Sequence, residues 1–433
     1  MNRNVLLFSG MFALIAIVGF TQSWSVALTI FNLCLISSIM ALGVNIQWGY
    51  AGLFNVGVMG FAALGGIAAV LVSKPPIPET WAVGGIGIGL TLLALIGTIV
   101  AVWATRRYIN GRWRNLATGL TIIVGFFIIR VIFDPAVHAI EAFEPAKTGY
   151  LGGLGLPIIF SWLVGGVFAA AGAWLVGKIA LGLRTDYLAI ATLGIAEIII
   201  AVLKNEDWLT RGVKNVAGLS RPVPREIVLQ NADWFIALAD RFGTNVITFS
   251  SIFVKLSYSL LFATVLLIIL WLSERALKSP WGRMMRAIRD NRDAAEAMGK
   301  DVTGRHLQVF ILGSAVVGIA GAMLTTLDGQ FIPTSYNPLR FTFLIWVMVV
   351  VGGSGNNWGA VLGGFLIWFV WIEAEPAGAW FMDLVTSGML ESSALRAHLI
   401  EAAPHMRLVI MGLILLLVLR FSPRGLIPEK SGR

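Results

Sequence analysis

The sequence predicts an all-α, polytopic transmembrane helix bundle of about 10–12 spans, some of them broken or re-entrant. Three observations predict it. Of 433 residues, 57% are hydrophobic and only 13% are charged, about half the charged fraction of an average soluble domain. Residues 4–73 contain no Asp, Glu, Lys or Arg, which is room for three spans of about 20 residues each. Long uncharged runs then recur at 80–105, 148–177, 256–273, 306–327 and 341–372. The whole chain, 1–433, therefore reads as a single integral-membrane domain.

Taken in order, the apolar runs fall at 5–20, 26–46, 51–72, 81–105, 116–133, 157–177, 187–203, 251–273, 307–327, 341–351, 358–372 and 406–419. The first has no small-residue cleavage site ahead of a hydrophilic start, so it reads as a span and not a cleaved leader. Counting every run as a crossing puts both termini on one side. That side receives Arg3, the loops 106–114 and 178–186, the segment 274–306 and the tail 420–433, which together hold 19 Lys and Arg against seven acids. The segments between them lean acidic, so the charge bias makes the basic side cytoplasmic. The net charge of +9 is mostly orientation. Basic residues scattered over membrane loops do not make a nucleic-acid footprint.

Composition excludes several classes. The single cysteine, Cys34, rules out an internal disulfide and any multi-thiolate metal site. Four histidines, none in a ligand-like pair, argue against a metal enzyme. No Ser/His/Asp, HExxH or paired-carboxylate pattern stands out, and no Gly-x-x-x-x-Gly-Lys-Ser/Thr loop is present for ATP hydrolysis.

The segment 274–306 organises the rest. It carries eight Lys or Arg and five acids between apolar spans. Trp281, Met284, Met285 and Ile288 recur at helical spacing, with Arg283, Arg286, Arg289 and Asp290 on the other side. Gly282 is expected to loosen the start, and Gly299 supplies a left-handed residue to end the helix. Such a helix has three ordinary uses: lying on membrane lipid, packing on its own bundle, or serving as a handle for a cytoplasmic partner.

The wording of four stretches narrows this. Ser279-Pro-Trp-Gly-Arg, Arg286-Ala-Ile-Arg-Asp-Asn and Ala297-Met-Gly form the first. Leu183-Arg-Thr-Asp-Tyr-Leu-Ala-Ile precedes them; Val351-Gly-Gly-Ser-Gly with Trp358-Gly-Ala-Val-Leu-Gly, then Ser422-Pro-Arg-Gly-Leu-Ile, follow. In that order they resemble the LivM-type permease subunit of branched-chain amino acid ABC transporters. The resemblance covers 182–428 well and the first seventy residues loosely.

What the resemblance implies is a permease of the bacterial inner membrane that binds no cofactor itself. Its expected partners are a second, LivH-type permease, two ATPase subunits that hydrolyse the ATP, and a periplasmic solute-binding protein. Segment 274–306 becomes the cytoplasmic coupling loop, with Trp281, Met284, Met285 and Ile288 docked in an ATPase groove and Arg283, Arg286, Arg289 and Asp290 at its polar rim. The resemblance fails over 81–157, where two additional spans fit.

Candidate pathway residues are fewer. The stretch 42–55 is Gly-rich and carries Asn45, Gln47 and Asn55. Its glycines suit close helix packing, and its amides suit a path for a zwitterionic solute where a broken helix lines a cavity. Glu197 lies in an apolar run, so it is expected to face the protein interior, either as an interhelical anchor or against a substrate ammonium. The glycines Gly352, Gly353 and Gly355 mark a helix break. The segment 204–250 is the largest outer loop, with an amphipathic helix expected over 227–242, and is the best docking candidate for the binding protein. The substrate reading is a hydrophobic amino acid, with urea and short amides as the alternative. An ion-coupled secondary transporter would need more ionisable groups within the bundle.

Overall fold

The computed structural model describes residues 3–111, 113–145, 147–389 and 393–429. Every apolar run becomes a helix: α1 (Arg3–Thr21), α2 (Trp24–Ala51), α3 (Val58–Ser73), α4 (Pro78–Tyr108), α5 (Trp113–Ala142), α6 (Ile159–Ala180), α7 (Thr185–Asn205) and α8 (Val246–Lys278). Two short helices follow, α9 (Pro280–Asp290) and α10 (Arg292–Ala297), before α11 (Val302–Asp328), α12 (Pro338–Gly352), α13 (Asn357–Thr386) and α14 (Met406–Phe421). Among the described residues ten helices are long and apolar enough to cross a membrane, the last counted from Ala394 to Phe421 and ending in α14; α3 and α12, at 16 and 15 residues, are shorter. At 1.5 Å per residue the two short ones span only about 22–24 Å of a hydrocarbon core near 30 Å.

The bundle is built around α2. Its most apolar window is 72% buried, against 11% for α4 and for α5. A helix that is apolar all round belongs in a core, and α2 is wrapped by α8, α11, α12 and α13. On its other face α11 packs on α3 and α6 through small residues. A Cβ added to Gly318 would sit 2.4 Å from Ala169 Cβ, and one added to Gly321 would sit 2.0 Å from the Ala62 carbonyl oxygen. Such close backbone approach is how apolar helices bind one another where lipid removes the hydrophobic drive.

The helices α4 and α5 form a peripheral hairpin over the 81–157 region. It has its own small core of Ile88, Ala136, Val137, Ile140 and Leu151, with Phe133 and Trp208 against it. Trp81 Nε1 donates to Leu151 O at 3.0 Å, tying the hairpin to one end of the bundle.

The two ends differ. One gathers the α8–α11 connection, the α2–α3 and α12–α13 breaks and the C-terminal tail. The other carries a two-stranded antiparallel pair, β1 (Val216–Ala217) with β2 (Gln330–Phe331), where Val216 faces Phe331. Lys74 Nζ donates to Gly218 O at 3.0 Å on that side, and burial, with Arg211 nearby, lowers the Lys74 pKa. The 204–250 segment is thus fastened down. Its expected single helix is two, Glu226–Gln230 and Asp233–Arg241, whose Leu229 and Phe235 are buried while Ile227, Trp234 and Phe242 stay exposed.

Candidate functional site

The unwound stretch between α2 and α3 is buried or half-buried throughout, so its backbone groups need partners. It finds them on neighbouring helices. Val56 N donates to Thr192 Oγ1 of α7 at 3.0 Å, and Gly57 N to Asn55 Oδ1 at 2.8 Å. Trp346 Nε1 of α12 donates to Asn55 O at 2.9 Å. Gly52 closes α2 in the left-handed region at φ 67°.

The second break, between α12 and α13, lies directly against the first. Gly353 and Gly355 have φ of 119° and 82°, conformations that glycine adopts without strain. A Cβ on Gly49 would lie 2.6 Å from Gly355 N, and one on Gly352 would lie 2.0 Å from Gly359 O. Asn356 caps α13 by accepting from Trp358 N at 3.0 Å. Gly352 is the last residue of α12, and Gly353 and Gly355 lie in the gap before α13.

The amides of 42–55 are buried and bonded, so none of them faces open space. Asn45 Nδ2 donates to Asn357 Oδ1 at 3.1 Å, and Asn45 Oδ1 accepts from Gly355 N at 2.8 Å. Gln47 Nε2 donates to Phe310 O and Ser314 Oγ, both at 3.0 Å, while its oxygen accepts from Asn55 Nδ2 at 2.9 Å. With donors and acceptors taken up between helices, these side chains act as staples in this conformation. Tyr50 also donates its hydroxyl to Asn357 Oδ1, and Asn357 Nδ2 donates to Glu274 Oε1 at 3.0 Å.

The basic helix differs from its expected docking pose. Met285 is fully buried and Ile288 is 2% exposed, both in the chain's own core. Trp281 and Met284 are half-buried against the same core. Its apolar face is therefore satisfied within the chain and is not open to a groove elsewhere. Instead of loosening α9, Gly282 permits its tight start: an added Cβ would lie 2.4 Å from Leu277 O. Ser279 caps α9 and Pro280 occupies its first turn. The helix breaks at Asn291, which caps α10, and Gly299 ends that part at φ 73°. Outward-facing groups are Arg283, Ala287 and Asp290, followed beyond the break by Met298.

The tail joins these parts. Leu426 N donates to Val351 O at 2.9 Å and Ile427 N to Gly352 O at 2.8 Å, so the tail lies along the end of α12. Glu429 then reaches α9, 3.0 Å from Arg289 Nη1 and 3.8 Å from Arg286 Nη1. Arg289 also donates to Gly49 O. One basic helix thus touches both breaks at once.

Glu197 corrects an expectation. It sits in the middle of α7 but faces out of the bundle, with no hydrogen bond or ion pair among the described residues. The inner face of α7 is already filled by Leu188, Thr192, Ala196 and Ile200. Sequence reasoning missed Tyr50, Thr192, Trp346, Asn357 and Glu429. Tyr50 falls within the 42–55 stretch, Thr192 follows closely on the Leu183–Ile190 motif, and Asn357 and Glu429 adjoin the glycine break and the closing Ser422-Pro-Arg-Gly-Leu-Ile motif; Trp346 carried no signal.

A bundle of apolar helices with paired helix breaks and a basic helix seated on them is the architecture of a multi-pass membrane protein. The family described as the branched-chain amino acid transport system permease component matches residues 80–419. The chain belongs to that family. It is 24% identical over 394 residues to a Methanocaldococcus jannaschii protein described as a probable branched-chain amino acid transport permease, LivM, covering 90% of each chain. It is 31% identical over 265 residues to the high-affinity branched-chain amino acid transport permease LivM of Escherichia coli, covering 58% of this chain and 59% of that one. A second M. jannaschii protein, described as a probable LivH permease, is 26% identical over 281 residues, covering 64% of this chain and 77% of its own. No solved structure matches. The family match spans the α4–α5 region, where motif comparison alone found no counterpart.

Proposed function

We propose that the chain is the membrane-embedded permease subunit of an ABC importer for branched-chain or other hydrophobic amino acids, energised by separate ATPase subunits. The observation that carries this is the seating of α9 on both helix breaks through Arg289, Gly49 and Glu429. An ATPase pair that closes on ATP would pull on α9 and α10 by their outward side, Arg283, Asp290 and Met298. Motion of α9 then reaches α2 through Gly49, and α12 through the tail, and the bundle exchanges outward for inward access.

In this reading the 274–306 end and both termini are cytoplasmic, the membrane is the bacterial inner membrane, and the 204–250 segment meets a periplasmic solute-binding protein through its exposed Ile227, Trp234 and Phe242. A second, LivH-type permease covers the outer face of α7, where Glu197 lies. An ion-coupled transporter would place Glu197 inside the bundle, and it is outside. Urea or a short amide is the alternative cargo.

The experiment is copurification from the native membrane in mild detergent. Wild type brings down two ATPase subunits, and Arg283→Glu with Asp290→Lys loses them while the chain stays monodisperse. A folded wild type that brings down no ATPase under gentle conditions overturns the proposal. Solute uptake by the recovered complex, leucine against urea, then decides the cargo.

A further inference from the structure

The helix breaks flank a cavity that none of the residues discussed so far occupies. Its volume is about 230 Å³, many times the ~10–15 Å³ that a water needs. It lies between α2, α3, α11, α12 and α13, so both short helices border it. Its wall is apolar, with Met40, Met59, Ile345 and Met348 prominent among the lining residues. Met59 N donates to Thr342 Oγ1 at 3.3 Å, which holds the two short helices together beside it.

Polar groups interrupt that wall: Ser37, whose hydroxyl donates to Leu33 O at 2.7 Å, and two further features. Asp328, the last residue of α11, stands at the rim beside Ser335, at the end that carries β1 and β2. Its carboxylate has no hydrogen bond or ion pair among the described residues. Trp368 of α13 forms part of the wall, and its Nε1 is buried without a partner. A buried donor left unmade costs free energy, so native structures usually satisfy it.

We propose that this cavity is the chain's solute chamber and takes an aliphatic amino acid, with the ammonium group on Asp328 and the side chain among Met40, Met59, Ile345 and Met348. The inference rests on the reading of the chain as an amino acid permease and adds the place and mode of recognition. A lone carboxylate over an apolar wall complements a cationic head on a branched hydrocarbon body. Urea, short amides and sugars carry no cationic head. Because α3 and α12 each end at a break that α9 touches, movement of α9 changes the wall and gives the chamber a route to release.

The test uses the complete importer in proteoliposomes, with its partner permease, ATPases and binding protein. A diazirine analogue of leucine is photolysed during turnover and its adducts are mapped by mass spectrometry. Adducts on peptides spanning 33–59 and 341–348, displaced by excess leucine, are expected. Asp328→Asn should lower leucine uptake at least tenfold, Asp328→Glu should retain most of it, and ATPase assembly should be unchanged in both. Should Asp328→Asn fail to assemble, Met348→Trp fills the wall instead and is expected to abolish labelling there.

Robust leucine uptake with adducts elsewhere, or full uptake by Asp328→Asn, overturns the chamber and leaves the function standing. Adducts in the cavity that leucine does not displace mark a lipid cleft and also overturn it. A complex that imports urea and no aliphatic amino acid overturns the functional reading, and this ligand with it.

Discussion

Arg289 of α9 and Glu429 of the tail form an ion pair, Nη1 to Oε2 at 3.0 Å, with side chains only 24% and 26% exposed. Burial lowers the Arg289 pKa, but its bonds to Glu429 and Asp290 outweigh that and hold it above its ordinary value. The guanidinium stays charged and can also serve Gly49 O. Removing the carboxylate should cost about 1.5–3 kcal/mol, as for hydrogen bonds to charged groups. Glu429→Gln is therefore expected to lower the melting midpoint in detergent and to reduce uptake per ATP hydrolysed, while the ATPases remain bound. Exchanging the charges, Arg289→Glu with Glu429→Arg, should restore stability but not the Gly49 contact, and so not coupling. An unchanged midpoint and unchanged coupling in Glu429→Gln would make the tail a passive end.

The second break gives a sharper test of backbone geometry. Gly353 has φ 119°, and an added Cβ would lie 2.3 Å from Ile427 O in the tail. Gly353→Ala therefore meets both strain and a clash, each on the order of 1–3 kcal/mol. It should express poorly or melt early. Gly97→Ala in α4 is the control, because nothing lies within 4 Å of its added Cβ; there the change should be neutral, or stabilising by up to ~1 kcal/mol. Thermal denaturation of both variants checks the contrast, and equal midpoints would refute it.

Much of this fold was legible because apolar length is a strong signal. Runs as short as 341–351 and 358–372 became α12 and α13, and the Gly-rich word between them became the break. The direction in which side chains face was harder to read. Met285 and Ile288 look the same in sequence whether they meet an ATPase or their own α2, and Glu197 looks interior because a membrane carboxylate usually is. The decisive partners are far apart in the chain: Gly49 with Arg289, Asn45 with Asn357, Gly352 with Ile427. No local period encodes such pairings, so the site had candidates without their geometry.

The two faces of α9 should separate folding from docking. Met285→Ala opens a cavity in the core and should cost about 2–5 kcal/mol, with loss of folded chain. Arg283→Glu alters an exposed side chain and should leave the melting midpoint within about 0.5 kcal/mol equivalent while weakening ATPase copurification. Size-exclusion profiles and pull-down yields of the two variants give the answer. Retained ATPase with Arg283→Glu, Asp290→Lys and Met298→Ala together would place the contact elsewhere.

Glu197 offers a test of the subunit interface that leaves the chain's own packing alone. It shares an exposed stripe of α7 with Ile190, Gly194 and Ala201, and a Cβ added to Gly194 would meet nothing within 4 Å. A carboxylate in mid-span facing lipid would cost on the order of 3 kcal/mol, a penalty that a polar group on a second permease removes. Cys34 is the sole cysteine and is fully buried, so Gly194→Cys introduces one accessible thiol. In the assembled importer that thiol should be shielded from a lipid-soluble maleimide and should crosslink to the second permease. In the isolated chain it should label freely. Glu197→Leu should leave the isolated chain folded yet lower recovery of the second permease, with Glu197→Gln keeping most of it. Equal labelling of Gly194→Cys in the complex and in the isolated chain would show that lipid, not a partner, covers this face.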